Sequence, residues 1–130
     1  MNKEQLTQYW IDSSNLDYRA MNNLFSTEDY VWSLFLGHLV IEKLLKALAA
    51  KNNHDTVLKI HDLNKLAKAA ELESNESIKD SFDIISSFNI EARYPDYKKE
   101  FYQKCDKKFT TDNIKKINEI RLWLLELLKK

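Results

Sequence analysis

The 130-residue chain has one glycine, Gly37, one proline, Pro95, and one cysteine, Cys105. Each scarcity removes a class of protein. Tight β-hairpins and glycine-rich loops that cradle phosphates both need glycine where φ is positive or the backbone approaches closely. A turn-rich β-fold and nucleotide sites of the P-loop or dinucleotide kind are therefore not expected. A single thiol forms no internal disulfide and no cysteine-rich zinc site, and it fits a reducing compartment. No apolar run approaches the ~18 residues of a membrane span. The N-terminal MNKEQLTQYW carries no basic region, apolar stretch or small-residue cleavage site of a secretory signal, so a soluble, cytoplasmic protein without membrane association is expected. Excess charge of one sign is missing too. Twenty basic and twenty acidic residues cancel, so the molecule projects no global field toward nucleic acid and any such contact must be local.

Hydrophobic residues at 44% and charged residues at 31% give a globular balance rather than a disordered one. The length suits one domain, residues 1–130, with no internal repeat or boundary. The organising stretch is Tyr30 to Lys51. There Val31, Leu34, Phe35, His38, Ile41, Glu42, Leu45, Leu48 and Ala49 recur at three- and four-residue steps, the spacing of one helix face, while Lys43, Lys46 and Lys51 project elsewhere. A first helix is predicted over Lys3 to Phe25, with Leu6, Tyr9, Trp10, Leu16, Ala20 and Leu24 inward. The short join Ser26-Thr27-Glu28-Asp29 makes the two an antiparallel pair. A polar connector, Asn52 to Lys59, leads to a short third helix opened by His61-Asp62. Ser74 or Asn75 caps a fourth carrying Ile78, Phe82 and Ile85, which Pro95 stops. The segment from Ala92 to Tyr97 reads as an ordered turn or extended crossing. Thr110 or Thr111 caps a last helix with Ile114, Ile117, Ile120, Leu124, Leu127 and Leu128 inside. The fold class is all-α, an up-and-down arrangement of four to five helices.

Three inward faces carry a charge: Asp17, Glu42 and Arg121, with His38 one turn from Glu42. A buried carboxylate needs a partner, so the plain reading is a satisfied polar network in which Arg121 offers its fork to one or both carboxylates. A ligand-binding or catalytic role for the set is the sharper alternative. A metal shared by His38 and Glu42 lacks a second histidine at ligand spacing, and no metal or cofactor is expected. At His61-Asp62, one residue caps the helix while the imidazole packs or stays wet. Cys105 has no histidine near it in sequence, so no hydrolase triad is supported.

From Arg93 to Lys108, cations alternate with rings: Arg93, Lys98 and Lys99 stand beside Tyr94, Tyr97, Phe101 and Tyr102. Cations hold phosphates and rings stack on bases, as single-stranded nucleic acid requires, although solvated lysines over packed aromatics have the same composition.

Three short signatures in order, Glu42-Lys43-Leu44-Leu45-Lys46-Ala47-Leu48, His61-Asp62-Leu63 and Ala92-Arg93-Tyr94-Pro95-Asp96, with Trp10 in the first helix, resemble the HEPN domains (higher eukaryotes and prokaryotes nucleotide-binding). The resemblance implies a helical bundle that dimerises near the arginine signature. It implies a homodimer working beside a nucleotidyltransferase, as toxin and antitoxin or as fused domains, with many members acting as metal-independent ribonucleases. Those ribonucleases pair the arginine with a histidine a few residues further on. Arg93 matches the arginine, but Lys98, Lys99 and Glu100 stand where the histidine belongs. The expectation is thus a nucleotide- or RNA-binding module with a ligand site at Arg93, Tyr94, Asp96, Tyr97, Lys98 and Lys99, turning over slowly or not at all. The alternatives are an RNA endonuclease toxin using Arg93 with Lys98, Lys99 or Tyr97, and a dimeric protein-interaction domain with no nucleic-acid ligand.

Overall fold

The computed structural model describes residues 1–52 and 59–130, and the described residues are helical throughout, with no strand. The expected connector from Asn52 to Lys59 lies, apart from its ends, outside them. Six helices follow in order: α1 (Lys3–Ser26), α2 (Tyr30–Lys51), α3 (Leu63–Ala69), α4 (Glu76–Glu91), α5 (Pro95–Lys104) and α6 (Lys107–Lys129). This exceeds the expected four to five. The additional element is α5, where a turn or crossing followed by a lysine-rich segment was expected. Pro95 does not end α4, which stops at Glu91; it occupies the first turn of α5. A missing N–H and a fixed φ cost nothing at that position.

Local chemistry explains the other boundaries. Asn2 and Gln5 exchange side-chain and backbone bonds in a capping box at the start of α1. Asp62, Asn75 and Asp106 each accept a backbone N–H at the starts of α3, α4 and α6. The last helix thus begins before Thr110 and Thr111; Thr110 is buried within it.

The centre of the molecule is α2, buried on nearly all sides, with α1 and α6 along it and α3, α4 and α5 against the remainder. Ser14 Oγ donates to the Val40 carbonyl and Ser33 Oγ to the Met21 carbonyl, both at 2.9 Å. Partners that converge in number toward the connecting turn make α1 and α2 antiparallel. Helix α6 runs parallel to α2, since Gly37 meets Ile117 while Lys51 Nζ donates to the Leu128 carbonyl at 2.9 Å. A Cβ on Gly37 would lie 2.5 Å from Ile117 Cδ1 and 3.2 Å from Met21 Sδ, so the sequence's only glycine sits where side chains of α1 and α6 pack tightly on the α2 backbone.

The inward stripe of α1 differs from the expected one. Leu16 is 61% exposed and Tyr9 is exposed, whereas Ser14 and Met21 are buried and Ile11, Tyr18 and Phe25 pack on the core. The larger difference is Lys46, expected to project outward but only 3% exposed.

Candidate nucleic-acid interface

Glu42 is the centre of a buried polar cluster. Its carboxylate, 3% exposed, accepts from Lys46 Nζ at 3.0 Å through Oε2 and from His61 Nδ1 at 3.0 Å through Oε1. Lys46 lies one turn along the same helix, and its ammonium sits 5.3 Å from the Trp10 ring centroid. A cation whose charge is met by a carboxylate and by the face of an indole can be buried. The Glu42/Lys46 spacing was visible in the sequence as an i, i+4 pair.

His38, fully buried, donates from Nε2 to the His61 carbonyl at 2.9 Å. A carbonyl only accepts, so this nitrogen carries the proton and Nδ1 is an acceptor, unpartnered among the described residues. Burial pushes the pKa of His38 below its ordinary value, against the weaker upward pull of the His61 carbonyl and Glu42. The ring is neutral, and its 3.7 Å approach to Glu42 is no ion pair. His61 has the opposite setting. Its side chain is 57% exposed, and with Nδ1–H given to Glu42, Nε2 points to solvent unbonded by any described residue. Asp62 beside it caps α3 through Lys65 N at 2.9 Å.

The other two members of the expected network lie apart. Lys43 Nζ approaches Asp17 Oδ2 to 2.7 Å as an ion pair between α1 and α2. Arg121 reaches neither carboxylate: it donates to Asn15 Oδ1 at a long 3.4 Å and stacks on Tyr18, its guanidinium carbon 3.7 Å from the ring centroid. Both of its partners are on α1, whereas Glu42 looks toward the approach to α3, so no common centre forms.

The Arg93 region is organised from three elements. Arg93 follows α4 in a turn closed by its own N–H to the Ile90 carbonyl and by Tyr94 N–H to the same oxygen. Its Nε donates to the Asn89 carbonyl at 3.0 Å, and its guanidinium lies 5.6 Å from the Phe35 ring and 5.7 Å from the Tyr94 ring. The terminal nitrogens bond no described residue. The side chain is therefore exposed and held at its base, and it faces no carboxylate. Tyr94 and Tyr97 are half-exposed, Asp96 is exposed in the first turn of α5, and Lys98 lies 5.7 Å from the Trp32 ring, beside a cleft of about 580 Å³. Lys99 belongs to a second cleft of about 440 Å³ with Pro95, Tyr102 and Gln103. Sequence reading missed Phe35, Trp32 and Asn89, which bring α2 and α4 to this surface. Phe35 and Trp32 are apolar residues on an apolar helix and give no sign that they lie at its rim.

Other chemistries are poorly served. Burial, reinforced by Glu91, pushes the Cys105 thiol up to about 12, far from a reactive thiolate. Among the described residues no group of three or more histidines, cysteines and acids could hold a metal ion, and no helix is long and apolar enough to cross a membrane.

Neither a curated protein nor a solved structure matches the chain. The family model of the HEPN domain does, over residues 7–128, which takes in α2, the His61-Asp62 turn and the Arg93 region together. Nearly the whole chain is thus one HEPN domain, and the protein belongs to that family.

Proposed function

We propose that this protein is a nucleotide- or RNA-binding helical module whose ligand is anchored by phosphate at Arg93. The supporting observation is the guanidinium itself: its Nε is tied to the Asn89 carbonyl and its faces meet Phe35 and Tyr94, while its terminal nitrogens stay open. A fork held at its base and free at its tips suits bidentate capture of a phosphate. Tyr94 and Tyr97 offer faces to bases, and Lys98 and Lys99 add charge one turn along α5. Asp96 accepts from a base edge or ribose at the rim. The histidine that family ribonucleases carry shortly after the arginine is absent, so this stretch alone binds and does not cleave. Family membership supports a homodimer and a nucleotidyltransferase partner, in a toxin-antitoxin arrangement.

Fluorescence anisotropy with a short single-stranded RNA tests the anchor. Arg93→Ala is expected to weaken binding at least about tenfold, in line with a lost charge-assisted bidentate contact. Because Arg93 and the lysines displace counterions, wild-type affinity should fall steeply with salt, and less steeply in the variant. Equal affinities and equal salt slopes would remove Arg93 from the site.

A further inference from the structure

We propose that the cleft between the α1–α2 turn and α5 is a docking site for an arginine on a partner protein, whose guanidinium takes the place of Lys98 on the Trp32 ring and pairs with Glu28 and Asp29. The site goes beyond the binding reading above and does not depend on RNA at Arg93.

The cleft, of about 580 Å³, joins two kinds of wall. Tyr30, Trp32 and Tyr102 supply rings, and Val31 and Cys105 add apolar surface. Trp32 is exposed, and an edge-on contact with Phe35, 5.6 Å between centroids, steadies it. The other wall brings carboxylates. Glu28 bonds no described residue through its side chain, and Asp29 engages only Oδ2, which accepts from Thr27 Oγ1 at 2.6 Å.

The backbone that carries these acids is fixed. Glu28 N–H donates to the Phe25 carbonyl at 3.1 Å and Asp29 N–H to the Leu24 carbonyl at 2.8 Å. Glu28 has a φ of 64°, a left-handed conformation that glycine adopts more readily, so the turn keeps a carboxylate where the backbone alone favours none. Partial burial, then Glu28 and Asp106, hold the Tyr30 phenol above its ordinary value, so an acid at the start of α6 borders this ring as well.

Rings beside carboxylates suit a cation, since the ring face attracts the charge and the carboxylate neutralises it. The cleft already holds one. Lys98 Nζ lies 5.7 Å from the Trp32 ring centroid, but it pairs with no described acid. An ammonium is a compact, strongly hydrated charge, whereas a guanidinium is flat: it stacks on a ring while its edge gives two parallel bonds to a carboxylate. Arginine therefore meets both walls, which the lysine now present does not. The acids disfavour a phosphate, so a nucleic-acid strand is a poor occupant. The cleft is also larger than one guanidinium, and its apolar part at Val31, Cys105 and Tyr102 has room for side chains next to the arginine. A polypeptide brings those and a free amine does not.

The test follows the assigned amide and Trp32 indole signals of the whole protein by NMR during titration with a capped pentapeptide, arginine at its centre and leucine on either side. The peptide should shift the signals of Glu28, Asp29, Tyr30 and the Trp32 indole saturably. The same peptide with citrulline, which keeps the shape and loses the charge, should leave them in place, and a lysine peptide should bind more weakly. Glu28→Gln with Asp29→Asn should weaken the arginine peptide at least about tenfold, the scale of lost charge-assisted bonds. Lys98→Gln should tighten it at least about twofold, because the ring face is cleared and a like charge removed. Unchanged or weaker binding by Lys98→Gln overturns the displacement, and equal binding of the citrulline peptide overturns the cation site. Capped arginine alone binding as tightly as the peptide would assign the cleft to a small cation instead of a partner protein. A Trp32 indole signal that moves on protein dilution without peptide would assign it to a second copy, and either result overturns the proposal.

Discussion

The polar residues on α2 differ in what their neighbours allow. Glu42 can be buried because Lys46 and His61 meet both its oxygens, while His38 is buried and neutral because burial outweighs the upward pull of the His61 carbonyl and of Glu42. The unfolded chain protonates His38 at its ordinary value of 6.5 and the folded chain resists doing so. The unfolded state therefore binds more protons below that pH, and stability falls as pH drops. The thermal midpoint is expected to decline from pH 7 toward pH 5.5. His38→Gln, which can still donate to the His61 carbonyl, should decline less; identical slopes would show that His38 does not set the trend. In the sequence, Glu42 and His38 stood out because a charge and an imidazole interrupt an apolar stripe. Their partner did not, since 19 residues separate Glu42 from His61 and helical periodicity carries no information across that distance. Arg121 misled for a related reason: its place on a stripe was legible, but not which neighbouring helix the stripe faces.

At the scale of elements, α2 and its bounds were readable because its apolar residues are dense and it is flanked by polar turns. Helix α1 was less so: its apolar residues admit two stripes a residue or so apart, and the buried one carries Ser14, whose hydroxyl is satisfied by the Val40 carbonyl. Helix α5 was hidden by its composition, since nine of its ten residues are exposed and are polar, tyrosine or Pro95 itself, and only Phe101 is buried. That phenyl ring lies 5.6 Å from Phe88 and attaches α5, with Lys98 and Tyr97, to α4. Phe101→Ala should cost about 3 kcal/mol, the lower end for a buried phenylalanine, and should weaken RNA binding without touching any contact residue. Hydrogen exchange should show α5 losing protection ahead of α2 and α6; uniform loss across the chain would mean that α5 does not open on its own.

For the whole molecule, formal neutrality removes long-range repulsion between copies, so a patch of modest area can hold two together. The outward side of α5 is such a patch. Tyr102 is 73% exposed there, next to the cleft shared with Pro95, Lys99 and Gln103, while Tyr94 and Tyr97 lie nearer Arg93. A large ring left in water on a short helix favours association, and pairing the same patch on both copies closes a two-fold dimer without further growth. The two Arg93 sites would then flank the axis, giving one RNA strand two anchors. Light scattering at micromolar concentration is expected to return about twice the chain mass of 15.4 kDa. Tyr102→Glu, which would trap a carboxylate between the copies, should return the single-chain mass with little change in thermal midpoint, because the ring contributes almost nothing to the core. A wild-type mass of one chain would refute the dimer, and a dimer indifferent to Tyr102→Glu would move its axis away from this side of α5.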